Sequence, residues 1–391
     1  MPTTGSLEIP SSLLKLPWTN RQPFKMAYIL GRVVLLLVFI PSWALYSIVK
    51  KPRASWKIGE CVAVRALRWF VPLNAACGLS PDSVSKTNPP SKFKESSLFW
   101  LEPANEKLIV GIAKDERVRP VRVPGYVWPQ GSRLDEEEDG FIALFIHGGG
   151  YMMGNGTEKF GELDIARKLL KKNPSIKRVL SVEYRLVGDD CHPAQLLDGL
   201  AAYAHLVKDL KIDPSRIIII GACSGGHLVM MLSRYLYEEK VLPLPGGLML
   251  FSPVLDMISD FEIAQGLAPP RPNTGVDWLV TSHCANVRFL GHHHPDLLKL
   301  PAITSNRAPP GSYTGYPPTF ISIGDVDILR EEIEQLVEIM QKDGVDVLFD
   351  VHKDAVHEFH AIPIMPSDGA RENAIKSASD WVRSLETKHS P

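Results

Sequence analysis

The chain has 391 residues and a formal charge of −1, with 45% hydrophobic and 22% charged residues. That balance excludes the basic composition of a nucleic-acid-binding protein, and the length allows a large core in one α/β domain with an added cap. Five cysteines (Cys61, Cys77, Cys191, Cys223, Cys284) are widely spaced, odd in number and without a C-x-x-C pair. They signal neither a disulfide framework nor a zinc site, and reduced thiols are expected.

A polar tail (1–25) precedes residues 26–49, a 24-residue apolar stretch holding one charge, Arg32, and one proline, Pro41. At 1.5 Å rise per residue, roughly 20 apolar residues cross a hydrocarbon core, so the stretch is expected to be a transmembrane helix. Basic residues lie on both sides (Arg21 and Lys25; Lys50, Lys51 and Arg53), so the positive-inside rule gives no orientation. The preceding tail is long for a cleaved signal peptide, and no small-x-small site follows. The alternative is a buried or membrane-surface helix of the cap that Pro41 ends early. The expected location is a membrane crossed once, the endoplasmic reticulum being one candidate.

Residues 50–110 read as cap and linker. Within them, 56–71 place apolar groups at helical spacing, as an amphipathic cap helix does. The proline-containing stretches 81–90 and 120–129 read as loops or linkers. Residues 111–391 read as the catalytic domain, interrupted by a cap insertion at 257–316. Its first clear strand is the continuous apolar run 141–146 (FIALFI), and 178–184 holds the next. A helix over 196–210, the β-branched strand 216–220 (RIIII) and a helix over 227–238 follow. Strands at 247–252 and 318–323, a helix over 330–342 and a last strand at 345–351 complete an α/β fold. The alternation predicts a mainly parallel, doubly wound sheet whose ligand site lies at the strand carboxyl ends.

Three groups of residues fall at those ends. His147-Gly148-Gly149-Gly150-Tyr151 follows the first strand, and consecutive glycines let backbone amides turn inward on a ligand, as an oxyanion hole requires. Gly221-Ala222-Cys223-Ser224-Gly225-Gly226 follows RIIII, where a strained strand-to-helix turn would expose a nucleophile. The residues two before and two after that nucleophile must be small. Cys223 is flanked in this way by Gly221 and Gly225, Ser224 by Ala222 and Gly226. Glycine tolerates the crowding better, so Cys223 is the preferred nucleophile and Ser224 the alternative. Asp327 and His357 follow the later strands, in the order nucleophile, acid, base. Asp325, His352 and His360 are the competing local choices. The triple histidine at 292–294 lacks the ligand spacing of a known metal site and reads as a solvated loop. A sequon at Asn155 to Thr157 reads as fortuitous.

The segments HGGGY, Tyr184-Arg185-Leu186, Pro193 to Asp198, Asp213 to Arg216, Ser252 to Asp256, Asp327 to Glu332 and His357-Glu358-Phe359 together resemble the hormone-sensitive lipase family of α/β-hydrolases, over roughly 141–381. The anchor-like stretch and the Trp56 region look similar to fungal members. In that family the elbow reads G-D-S-A-G-G, so Cys223 stands where the family carries serine. Dienelactone hydrolases of the same fold use cysteine in a G-x-C-x-G elbow. The resemblance implies an esterase or lipase-like carboxylic ester hydrolase that needs no metal or organic cofactor. Its triad would be Cys223, Asp327 and His357, and its oxyanion hole the amides of Gly148, Gly149 and Ser224. The expected partners are a small, lipophilic ester and a membrane. An acyltransferase passing the acyl group to an alcohol, or a non-catalytic small-molecule-binding relative, would carry the same residues.

Overall fold

A computed structural model describes residues 9–15, 17–77, 84–136, 139–281, 283–367 and 369–389. Eight strands, β1 (Ser97–Leu101), β2 (Val123–Trp128), β3 (Phe141–Ile146), β4 (Ile176–Val182), β5 (Ile217–Ala222), β6 (Gly247–Phe251), β7 (Thr319–Gly324) and β8 (Val347–His352), form one sheet. Their order is β1-β2-β4-β3-β5-β6-β7-β8. β1 and β2 run antiparallel to each other, and β2 runs antiparallel to β4; every later pairing is parallel. Buried on both faces, β3, β5 and β6 have no outward side to make polar, which is why they read as unbroken apolar runs; β7 is as buried but carries Thr319 and Ser322.

The helices are α1 (Phe24–Val49), α2 (Ile58–Cys77), α3 (Leu163–Lys172), α4 (Ala194–Ala204), α5 (Ser224–Glu239), α6 (Ser259–Ala264), α7 (His283–Leu290), α8 (Arg330–Lys342) and α9 (Ala370–His389). The period of two in the strands sorts the core into layers. Ile142, Leu144, Ile146, Ile217 and Ile219 pack toward α4, α5 and α8. Phe141, Ala143, Phe145, Ile218 and Ile220 pack toward α3 and α9. A third cluster joins Trp56, Cys61 and Val64 to Val326, Val356 and Phe359, so the cap helix α2 rests on the loops after β7 and β8.

Two expectations change, and the alternative reading of the amino-terminal helix loses one of its supports. The stretch 120–129 is not a linker, because it contains the fully buried β2. Pro124 has no N–H to offer, which hides the strand in sequence, but its carbonyl still accepts from Glu183 N at 2.9 Å. β1 lies inside the segment assigned to cap and linker, so the sheet begins upstream of residue 111. Pro41 does not end α1, which runs unbroken for 26 residues. α1 is long and apolar enough to cross a membrane, with a mean hydropathy of 2.0 over its most apolar window, only 6% of which is buried. Its inner side meets α2. The Arg32 guanidinium lies 3.5 Å from the Trp69 ring centroid, and Trp69 Nε1 donates to Arg32 O at 2.9 Å. The single charge of the apolar stretch is thus held against a partner rather than facing outward.

Candidate active site

Four loops at the carboxyl ends of β3, β5, β7 and β8 converge. Between β5 and α5 the chain reverses through Cys223, whose φ of 49° and ψ of −118° are a costly conformation for a residue with a side chain. The turn is pinned on both sides: Cys223 N donates to Phe251 O at 2.9 Å, and Val254 N donates to Cys223 O at 3.0 Å. The expected crowding is present. A Cβ on Gly225 would lie 2.1 Å from Ile146 O, and one on Gly221 would lie 2.5 Å from Gly225 O. Ser224 begins the helix, is buried, and its Oγ accepts from Tyr151 N at 3.2 Å. Strain and residual exposure (7%) therefore belong to Cys223.

Asp327 and His357 meet in the interior. His357 Nδ1 lies 3.1 Å from both carboxylate oxygens of Asp327, and both residues are fully buried. Asp327 is fixed in turn by Leu329 N, which donates to its Oδ1 at 2.9 Å. Burial opposes a charged imidazole, but Asp327 and Cys223 outweigh it and hold the His357 pKa well above its ordinary value. Apart from the Cys223 side chain, whose hydrogen bond contributes to that rise, His357 Nε2 has no partner among the described residues. The competing residues are engaged elsewhere: Asp325 caps Asp354 N at 2.6 Å, His352 pairs with Asp350 at 2.8 Å, and His360 meets Ser322 Oγ at 3.0 Å.

Sequence reasoning missed Asp277, from the cap insertion. Its Oδ1 accepts from His357 N at 3.2 Å and its Oδ2 from Ile328 N at 2.8 Å. Next to it, Trp278 Nε1 donates to His357 O at 2.6 Å, and its ring lies 5.5 Å from the imidazole. Arg68 of α2 holds this loop from outside, donating to Asp277 O at 2.9 Å. Burial, with Asp327 adding to it, pushes the Asp277 pKa up to about 7. Ligand atoms of Asp277, Asp327 and His357 lie within 4.8 Å of one another. The two side chains hold the imidazole and its backbone, so the cluster is accounted for without an ion.

The glycine loop has an occupant. Gly148 N donates to Glu162 Oε2, and a Cβ at Gly148 would lie 2.8 Å from both Cys223 Cβ and Glu162 Oε1. A buried carboxyl thus sits beside the elbow on one of the amides expected to form the oxyanion hole. Burial pushes its pKa up to about 8, so it is largely protonated at neutral pH. Glu358 is buried nearby with neither carboxyl oxygen hydrogen-bonded, and burial, with Glu162 adding to it, holds its pKa well above the carboxylate range. His147 does not face this cleft as a titrating group. Its Nδ1 meets Gly148 O at 2.8 Å, its ring stacks on Tyr184 at 4.3 Å, and burial pushes its pKa down to about 3. Gly149 and Gly150 take φ of 101° and 63° and turn the loop. Asn155 of the sequon is buried, with its Oδ1 accepting from Thr157 N at 3.0 Å.

These carboxyls set a pH dependence for stability. Glu162 and Glu332, both near 8, keep protons in the folded protein that an unfolded chain releases above about pH 4.5. Folding therefore takes up protons in the interval between. The stabilisation is fully present below the ordinary carboxylate range and is lost as pH rises through the folded values. Thermal unfolding midpoints should fall between about pH 6 and pH 9, and Glu162→Gln should flatten the decline. A midpoint that rises across that interval contradicts the assignment.

Comparison with known proteins agrees with this architecture. A family model described as alpha/beta hydrolase fold matches residues 143–361. An acetyl-hydrolase of Streptomyces hygroscopicus is 26% identical over 282 residues, covering 72% of this chain and 83% of that protein. Carboxyl esterase 2 of the mycorrhizal fungus Tuber melanosporum superposes with a TM-score of 0.59 at 19% identity, over 78% of this chain and 91% of the other. A hormone-sensitive lipase from a metagenome library gives 0.56 at 22% identity, over 82% and 98%. The chain belongs to the α/β-hydrolase fold family.

Proposed function

We propose that this ester hydrolase works through an acyl-cysteine intermediate on Cys223, with His357 as general base and Asp327 as its orienter. The observation that carries the reading is the strained φ of Cys223 in a turn beside His357 Nε2, which has no other partner among the described residues. In the first half-reaction the thiol proton passes to His357 Nε2 while sulfur bonds to the ester carbonyl carbon, whose π pair moves to oxygen. Collapse of the tetrahedral species breaks the C–O bond, and the alkoxide leaves with the proton from His357. Water, deprotonated by the same nitrogen, then attacks the thioester, and the acid and free Cys223 are released.

The oxyanion would be met by the amides of Gly148, Gly149 and Ser224. Because Glu162 holds Gly148 N, its carboxyl must yield that amide when substrate enters. In its neutral form it repels neither the thiolate nor the developing oxyanion. Trapping tests the intermediate: a slowly hydrolysed ester should add one acyl group to the protein, mapped by peptide mass spectrometry to Cys223. An adduct on Ser224 shifts the nucleophile by one residue, and labelling of neither sinks the mechanism.

We further propose a lipophilic ester as substrate and α1 as a single membrane span. The outward face of α1 supports both, since Leu37 (76%), Val38 (62%) and Ile48 (65%) are exposed among the described residues. A lysine at the centre of a span costs about 2.5–3.5 kcal/mol. The double substitution Leu37→Lys, Val38→Lys should therefore abolish co-flotation with phosphatidylcholine vesicles and leave soluble-ester turnover intact. Co-flotation that persists would place α1 outside the bilayer. In a series of p-nitrophenyl esters, kcat/KM should rise with acyl length, and a maximum at acetyl would remove the lipophilic preference.

A further inference from the structure

The loop at 292–294 is solvated at His292 and His294, which are exposed, but two of its three imidazoles have partners in the core. His294 is exposed and accepts from Asp296 N, as a surface residue does. His292 and His293, just after α7 in the cap insertion, turn back on Cys191 in the loop between β4 and α4. One ligand atom from each of Cys191, His292 and His293 lies within 4.8 Å of the other two. The thiol is 101 residues away in sequence, which is why no ligand spacing signalled the cluster.

The hydrogen bonds around the cluster are those a metal site needs. His292 Nε2 lies 2.9 Å from Asp115 Oδ2, and an ionised carboxylate can only accept, so Nε2 carries the proton. His293 Nε2 lies 2.8 Å from the carbonyl of His192, which fixes its proton in the same way. The Nδ1 of His292 is then unprotonated and faces Cys191 Sγ at 3.5 Å, and the His293 ring stacks beside it with centroids 4.3 Å apart. Metal-bound histidines characteristically donate their other ring N–H to a carboxylate or a backbone carbonyl, and one of each is present here.

The spacing also fits. Cys191 Sγ is 3.5 Å from His292 Nδ1. Bonds of about 2.3 Å to sulfur and about 2.0–2.1 Å to nitrogen at the tetrahedral angle put the two donors about 3.5 Å apart. Gly291 has a φ of 59°, and a Cβ there would lie 2.4 Å from Cys191 Sγ, so glycine is what lets the turn close over the thiol.

We propose that Cys191, His292 and His293 bind a divalent transition ion, zinc by ligand type, with the fourth position left to water and Asp115 orienting His292. The thiol gives up its proton on binding, as metal-bound cysteine must. The ion would add to two contacts that already join the insertion to the core: His192 N donates to Phe289 O at 2.9 Å, and the Phe289 ring stacks on Tyr151 at 5.2 Å. Tyr151 ends the glycine loop, so the site braces the cap against the catalytic face.

The test uses the purified full chain, stripped with chelator and titrated with ZnCl2 and, separately, CoCl2. One zinc per chain should bind and raise the thermal midpoint, and cobalt should give a thiolate charge-transfer band. Cys191→Ser should abolish that band, and Cys191→Ser or His292→Ala should weaken zinc at least about tenfold. Both variants should keep the parent midpoint in chelator, which separates lost binding from lost folding. Cys223→Ala should bind zinc like the parent. Stoichiometric zinc binding that survives the Cys191→Ser, His292→Ala double substitution, binding lost in Cys223→Ala, or no binding by the parent overturns the assignment.

Discussion

Cys223→Ala is expected to lower kcat/KM for a chromogenic ester by at least about 1,000-fold, with His357→Ala close behind. Both changes remove a member of one proton-transfer unit, so the double variant should be scarcely slower than either single one. Ser224→Ala should stay within about tenfold of the parent, because the hydroxyl bonds Tyr151 N and the amide that would face the oxyanion is retained. A thiol-directed alkylating agent should inactivate the protein and modify Cys223, which keeps some exposure while Asp327 and His357 keep none. Full turnover by Cys223→Ala, together with loss in Ser224→Ala, would move the nucleophile to the serine.

The largest stability effect is expected at Gly225. A methyl there would meet Ile146 O at 2.1 Å and His147 O at 2.5 Å, both backbone atoms at the end of β3. Neither can rotate away, so α5 and β3 would have to separate where the glycine loop begins. Gly225→Ala should destabilise by about 3 kcal/mol or more and leave no measurable esterase activity. Gly59→Ala is the control. No atom lies within 4 Å of its Cβ position in the first turn of α2, and alanine there should be neutral or slightly stabilising. Matching denaturation midpoints for Gly225→Ala and the parent would show that the close approach is not needed.

The legible parts of this chain were those in which one local rule decides. β3 and β5 read as strands because burial on both faces leaves only apolar side chains. The need for small residues at fixed offsets marks Gly221 and Gly225 as a turn, and the backbone crowds there, as it does at Gly226; the choice between Cys223 and Ser224 as nucleophile is left to the acyl-trapping experiment. Asp327 and His357 were readable as strand-end residues in a fixed order, and they lie together. Glu162, Glu358 and Asp277 carried no such mark. An acidic residue early in a helix or in a loop is ordinary, and only tertiary packing makes these three buried neighbours of the dyad. β2 was hidden by Pro124, and the partner of His292 by the long chain separation from Cys191. Local sequence signals punctuation and periodicity, but carries little about which distant polar groups share one buried volume.

The loop holding Asp277 and Trp278 belongs to the long insertion between β6 and β7, yet it supplies bonds to the backbone of His357 and a ring beside its imidazole. The insertion and the Asp327–His357 pair are therefore not separable modules in this protein. If His357 is the base proposed above, exchanging the insertion for a relative's that lacks an equivalent of Asp277 should slow every substrate alike. Substitutions that alter substrate choice alone are then expected among those that leave the stretch from Asn273 to Trp278 in place.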